Sequence, residues 1–332
     1  MKALVYTGTE QTEYREELAP EPGPGEALVE VEAVGICGSD MHAWHGHDPR
    51  RVPPLILGHE ASGRVLEGGS PETPSGTRVA LNPLIACGAC APCQSGRSNL
   101  CPNREMVGMR RPGAFAERVA IPVRNLIPVP DGLDPAHAAL TEPCATAWHG
   151  LVLAARASWR PLPECRALVI GGGSVGLLAA LILSAWGARS LRLAETNPLR
   201  RETVAKAGIE TFDPIAHSAA AESVDLVFDA VGAQATRAAA IAAVKPGGVI
   251  AHVGLLDWAG ELDARTLTLS EITFLGIYTY TDADLRASLA ALADGRLGDL
   301  DWVERRALSD GSQAFHDLNA NRTPAAKIVL TP

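Results

Sequence analysis

A chain of 332 residues is long enough for two domains of ordinary size. Its formal charge of −9 speaks against a nucleic-acid partner, because phosphate binding needs a basic surface. Apolar residues make up 47% and charged residues 20%, the balance of a globular protein, and no apolar run is long enough to span a membrane.

Met1–Tyr6 reads as a strand and lacks the long apolar region and small-residue cleavage site of a signal peptide, so a cytoplasmic protein is expected. Pro22-Gly23-Pro24-Gly25 is a turn, and Ala27–Val34 alternates with the period of two that marks a half-buried strand. Short strands of this kind continue to Pro135, where an alanine-rich segment predicts helix as far as Ser158. From Arg166 the pattern alternates. Strands are predicted at Arg166–Ile170, Ser190–Ala194, Asp225–Ala230 and Val249–Gly254, with helices at Ser174–Trp186 and Gln234–Val244 and a turn at Lys245–Gly248. Strand–helix alternation implies a parallel sheet with right-handed crossovers. A helix over Asp282–Ala293 and a strand over Lys327–Thr331 follow.

Gly171-Gly172-Gly173-Ser174-Val175-Gly176 fits G-x-G-x-x-G, a weak signal alone but here set between a predicted strand and a predicted helix. Gly171 permits the tight turn, Gly173 lets the backbone approach a pyrophosphate, and Gly176 lets helix and strand pack closely. The helix N-terminus offers free N–H groups to phosphate. Glu195 stands 24 residues beyond Gly171, where a carboxylate can accept hydrogen bonds from ribose hydroxyls and repel a 2′-phosphate. That favours NAD. Arg200 and Arg201 can instead receive the phosphate, so NADP stays the alternative. A structural turn with a surface glutamate is the bland reading.

The seven cysteines are an odd number, and four of them, Cys87, Cys90, Cys93 and Cys101, fall close together. In a reducing compartment that spacing favours a structural zinc over disulfides. The rival is an iron–sulfur cluster, because C-x2-C-x2-C followed by Cys101-Pro102 echoes the ferredoxin run; the seven-residue gap before Cys101 and the lack of a second motif favour zinc.

Two further pieces are Gly35-Ile36-Cys37-Gly38-Ser39-Asp40-Met41-His42 and Gly58-His59-Glu60-x2-Gly63. With the four-cysteine lobe and the dinucleotide pattern, in this order, the chain resembles the zinc-containing medium-chain alcohol dehydrogenases from Met1 to Leu330. The likeness is greatest to sorbitol, other polyol and threonine dehydrogenases, which share the Cys-Gly-Ser/Thr-Asp form and a Glu-Pro pair, here Glu142-Pro143. One departure is Gly76-Thr77-Arg78-Val79, where the family has Gly-Asp-Arg-Val.

The resemblance implies an α/β protein. A doubly wound Rossmann domain over 143–276 would join a mostly-β, GroES-like catalytic domain with a zinc lobe, made from 1–142 and 277–332. It implies two zinc ions per chain. The catalytic zinc would be held by Cys37 and His59 with Glu60 or Glu142, Cys144 being the competitor; the structural zinc would be held by the four clustered cysteines. It implies that Ser39 hydrogen-bonds the substrate oxygen and passes its proton toward His42, and that Asp40 orients His59. Backbone groups of Val253, Gly254, Leu255, Ile277 and Tyr278 would hold the nicotinamide carboxamide, and Lys327 would reach the pyrophosphate. His45 and His47 read as surface loop, and Trp44 as pocket wall or packing. The implied reaction oxidises a secondary alcohol of a polyol, sugar alcohol or sugar phosphate to a ketone by hydride transfer to NAD, in a homodimer or homotetramer built through the cofactor domain. A threonine 3-dehydrogenase is the nearest rival. A zinc-free quinone reductase lacks both metal sets, and a non-catalytic relative would have lost a ligand, which this chain has not.

Overall fold

The computed structural model describes residues 1–332. The period-two segments of the first third pair into a seven-stranded sheet. Its main path runs Leu126–Pro128, Arg78–Leu81, Glu60–Glu67, Glu26–Gly35, Lys327–Thr331 and Val303–Ala307, and Arg118–Pro122 also pairs with Glu26–Gly35. Alternation weakens along Glu26–Gly35 because the strand is covered on both sides. Val29, Val31 and Val34 face the core with Leu4, Val65, Phe115 and Phe315, while Ala33 packs under Ala136 and Ala139 of the helix Pro135–Ala139.

The second sheet is wholly parallel, in the order Thr211–Phe212, Ser190–Ala194, Arg166–Ile170, Val224–Asp229, Val244–His252 and Thr273–Gly276. The order reverses beside Arg166–Ile170, which opens a crevice at the C-terminal strand ends, where such sheets bind ligands. The helix Ser174–Ala185 starts in that crevice and is buried from Gly176 to Leu183.

Three details differ from the sequence expectation. The alanine-rich stretch forms two helices, Pro135–Ala139 and Thr141–Ala157, because Pro143 has no N–H with which to continue the first one. The fifth strand begins at Val244, which is buried and pairs with Val224, so the predicted turn at Lys245–Gly248 lies inside it as an irregularity of register. The edge strands Thr211–Phe212 and Thr273–Gly276 are too short to give a periodic signal. The helix Thr141–Ala157 ties the two halves together, with Ala145 beside Tyr280 and Leu285, and Ala147 and Leu151 in the core of the parallel sheet. No helix is long and apolar enough to cross a membrane.

Candidate active site

Cys37 follows the strand Glu26–Gly35 and precedes the helix Gly38–Trp44, so its thiol is held at a strand end. His59 and Glu60 enter the neighbouring strand, where Glu60 pairs with Gly35. A side chain at Gly35 would overlap the Glu60 carboxylate, which is why glycine is needed there. Gly58, at a φ of +89°, lays the turn before His59 against the Phe115 ring.

The ligand atoms of Cys37, His59 and Glu60 all lie within 4.8 Å of one another. Asp40 is fully buried; its Oδ2 accepts the Cys37 N–H at 3.0 Å, and its Oδ1 lies 3.4 Å from His59 Nδ1. Asp40 thus flanks the Nδ1 side of the ring, without completing a hydrogen bond to it, and leaves Nε2 for a ligand. Burial works against a charged His59, yet Asp40 and Cys37 drive its pKa well above the usual value. Glu60 Oε1 is buried with no partner, and the Cys37 thiol and His59 imidazole beside it are sulfur and nitrogen donors of the kind zinc takes. A divalent cation on the three would satisfy the orphaned oxygen, so zinc fits the donor set.

Glu142 is buried but stands outside that ligand group. Burial, reinforced by Glu60, pushes its carboxyl up to about 7 against the opposing pull of His59, Tyr280 and Lys327. The buried Tyr280 hydroxyl lies close to Glu142 without making a well-formed hydrogen bond. Cys144 is buried beside Ser288, away from the ligand group. The expectation for Lys327 needs correction. Its ammonium is buried, 2.5 Å from Glu60 Oε2 and 2.7 Å from the Ile36 carbonyl, so it serves the carboxylate rather than a pyrophosphate. The reason is register: Lys327–Thr331 lies beside Glu26–Gly35 in the sheet.

Ser39 lies on the first turn of the helix Gly38–Trp44 and is half-buried. Its Oγ and its carbonyl both accept hydrogen bonds from Arg51, which the sequence did not single out. His42 is half-buried on the same helix, and burial with the nearby His47 and His45 lowers its pKa. His45 reaches Asn319 Oδ1 at 2.9 Å. Trp44 is packing, 1% exposed and against Phe315.

The sulfurs of Cys87, Cys90, Cys93 and Cys101 also lie within 4.8 Å of one another, and none is in a disulfide. The amide N–H groups of Ala89 and Cys90 lower the Cys87 thiol to about 6. Burial and the neighbouring Cys90 push the Cys93 thiol up to about 12, so four sulfurs this close shed their protons only with a cation among them, and zinc fits them. The lobe also braces the site. Asn99 Nδ2 donates to the Tyr278 carbonyl at 2.9 Å, and Arg104 Nε donates to the Tyr278 hydroxyl at 3.1 Å. The Tyr278 carbonyl is therefore taken up by Asn99, and the Ile277 N–H by the His252 carbonyl.

In the crevice, Gly171 has a φ of +98°, and a side chain at Gly176 would overlap the Gly171 carbonyl. Leu177 makes the first intrahelical bond, to Gly173, which leaves the N–H groups of Ser174, Val175 and Gly176 for an anion. Glu195 accepts the N–H groups of Gly172 and Asn197, both at 2.7 Å, and Arg200 lies 3.4 Å from the same carboxylate. Arg201 is bound to the Glu195 and Thr196 carbonyls and lies beside Asp213. Val253 and Gly254 both donate to the Asp229 carbonyl, while Leu255 is exposed.

Two metal-ligand sets and a dinucleotide crevice define a zinc- and nicotinamide-dependent dehydrogenase. Residues 23–131 match the alcohol dehydrogenase GroES-like domain and residues 174–294 the zinc-binding dehydrogenase family. The chain belongs to the zinc-containing medium-chain alcohol dehydrogenases. It is 33% identical to L-galactonate-5-dehydrogenase of Escherichia coli over 100% of this chain and 99% of that one. It is 31% identical to L-threonine 3-dehydrogenase of a Chelativorans species, over 99% and 98% of the two chains. Among solved structures, a zinc-binding dehydrogenase of Sinorhizobium meliloti bound to NADP is 31% identical, with a TM-score of 0.87 over 100% and 99% of the two chains. Acetophenone reductase of Geotrichum candidum in complex with NAD is 29% identical, with a TM-score of 0.89 over 100% and 97%.

Proposed function

We propose that the enzyme oxidises a secondary alcohol of a polyol, sugar alcohol, sugar acid or sugar phosphate to the ketone, with NAD as acceptor and two zinc ions per chain. The observation that carries this reading is the Cys37–His59–Glu60 group, its histidine and carboxylate buried and its thiol partly exposed, with Ser39 two residues beyond Cys37. Cys37, His59 and Glu60 would hold the catalytic zinc, which when bound supplies a Lewis acid for the alcohol oxygen. Asp40 fixes the His59 ring, and Lys327 fixes Glu60. Ser39 Oγ accepts the substrate proton as its own proton moves outward toward His42. A nicotinamide held near Val253, Gly254, Leu255, Ile277 and Tyr278 would supply the carbon that accepts the alcohol's hydride. We also propose the division at 142/143 and 276/277 and an oligomer formed by the cofactor domain.

A second reading, L-threonine 3-dehydrogenase, is favoured by relatives such as the Chelativorans enzyme. NAD reduction measured across polyols, sugar acids, sugar phosphates, short alcohols and threonine separates the two. We expect the best sugar-derived substrate to exceed threonine at least about tenfold in kcat/KM, one decade being about 1.4 kcal/mol of discrimination. Preference for threonine overturns the first reading.

The cofactor reading rests on Glu195, since Arg201 is already engaged. Glu195→Ala is expected to weaken NAD binding about tenfold or more, the scale of a hydrogen bond to a charged group. It should also shift the ratio of catalytic efficiencies toward NADP. Wild-type preference for NADP would instead assign the phosphate to Arg200.

A further inference from the structure

We propose that Arg51 is a positioning residue for the proton-accepting hydroxyl of Ser39. The inference rests on the relay role given to Ser39 above. The Arg51 side chain is 1% exposed, and every nitrogen of its guanidinium is engaged. Nε donates to the Gly108 carbonyl at 3.0 Å. Nη1 donates to the Ser39 carbonyl at 3.0 Å and to Asp48 Oδ2 at 2.9 Å. Nη2 donates to Ser39 Oγ at 3.3 Å. Asp48 is itself fixed, because its Oδ1 accepts both the Arg50 N–H and Arg50 Nε. The turn at Gly108 packs on Gly58, immediately before His59, and a side chain at Gly108 would crowd the Gly58 carbonyl. One buried cation therefore joins the serine to the turn that lies over the candidate metal ligand.

A serine oxygen has one proton to give and two lone pairs to offer. Arg51 occupies one lone pair and, having no acceptor, cannot take the Ser39 proton. The second lone pair is left for the substrate O–H, and the Ser39 proton must point outward. Proton flow through the hydroxyl thus has one path: in alcohol oxidation the substrate O–H breaks, a bond to Oγ forms, and the original Ser39 proton leaves toward the His42 imidazole or water beside it, and ketone reduction retraces these steps. The guanidinium also stabilises negative charge that builds on Oγ as that proton departs.

Arg51→Lys keeps the charge but loses the fork that reaches Ser39, Asp48 and Gly108 together. It is expected to lower kcat about tenfold or more, as misplacement of a reacting group does, with KM and zinc content near wild type. The solvent deuterium isotope effect on kcat should rise. In a Ser39→Ala background the same substitution should cost less than about twofold, because residues that act as a unit are not additive. Asp48→Asn, which leaves Arg51 in place but loosens it, gives a smaller loss that also vanishes in that background, and it covers the case in which Arg51→Lys fails to fold. If either loss persists in full without the Ser39 hydroxyl, or falls on KM or zinc content alone, Arg51 is scaffolding and the proposal fails. If Ser39→Ala itself keeps full turnover, the relay reading fails first.

Discussion

Serine in place of Cys37 is expected to leave a folded chain whose turnover is lower by about a thousandfold or more, the loss that follows when a Lewis acid is removed from the reacting oxygen. Cys93→Ser should do the opposite. Around Cys87–Cys101 only Asn99 and Cys101 are buried, so the lobe has almost no apolar core and must draw its order from a metal. Its thermal midpoint should fall by about 5 °C or more. Nicotinamide affinity should fall with it, since Asn99 and Arg104 hold Tyr278. Zinc per chain and a melting curve on both variants provide the check. Equal melting temperatures would sink the division of labour between the two sites.

Ser39→Ala should lower turnover by roughly a hundredfold, the usual scale for a positioned proton-transfer group, with zinc content and NAD affinity unchanged. His42→Ala should cost less near neutral pH, where water or buffer can take the proton. The pH dependence has a definite sign. Burial and the neighbouring His47 and His45 hold the His42 pKa below its usual 6.5, so the imidazole stays neutral and able to accept as the pH drops toward neutrality and somewhat beyond. Solvent acceptors weaken over the same range, so the His42→Ala defect grows as pH falls. Below the lowered His42 pKa the wild-type imidazole is itself protonated, and the two enzymes should converge. Turnover against pH, with imidazole rescue of His42→Ala, measures this. A defect independent of pH, or no rescue, would remove His42 from the proton path.

What could be read without coordinates was whatever is local in sequence. The glycine turn at Gly171–Gly176 and the cysteine spacing from Cys87 to Cys101 hold their partners within one loop, so spacing alone reveals them. Arg51 on Ser39, Lys327 on Glu60 and Tyr280 beside Glu142 join segments that only the folded sheets bring together, and no periodicity announces them. Lys327 illustrates the cost: a basic residue at a strand start was expected at a phosphate, and strand pairing directs it to a carboxylate instead. Pro143 was visible as a helix interrupter, but an alanine-rich composition masked the break.

The strand Lys327–Thr331 occupies an interior place in the seven-stranded sheet, and Lys327 reaches a carbonyl 291 residues earlier in the chain. On the ribosome, the segments that carry Cys37, His59 and Glu60 emerge long before that strand exists. The parallel sheet between them can be complete first, because all six of its strands fall within Arg166–Gly276. Until Lys327 arrives, Glu60 lacks its cation and the Val34–Gly35 end of the central strand, beyond the reach of Arg118–Pro122, keeps an open edge, a template for wrong pairing. Vectorial synthesis therefore exposes the half with the metal ligands for longest, and the nucleotide-binding half closes ahead of it.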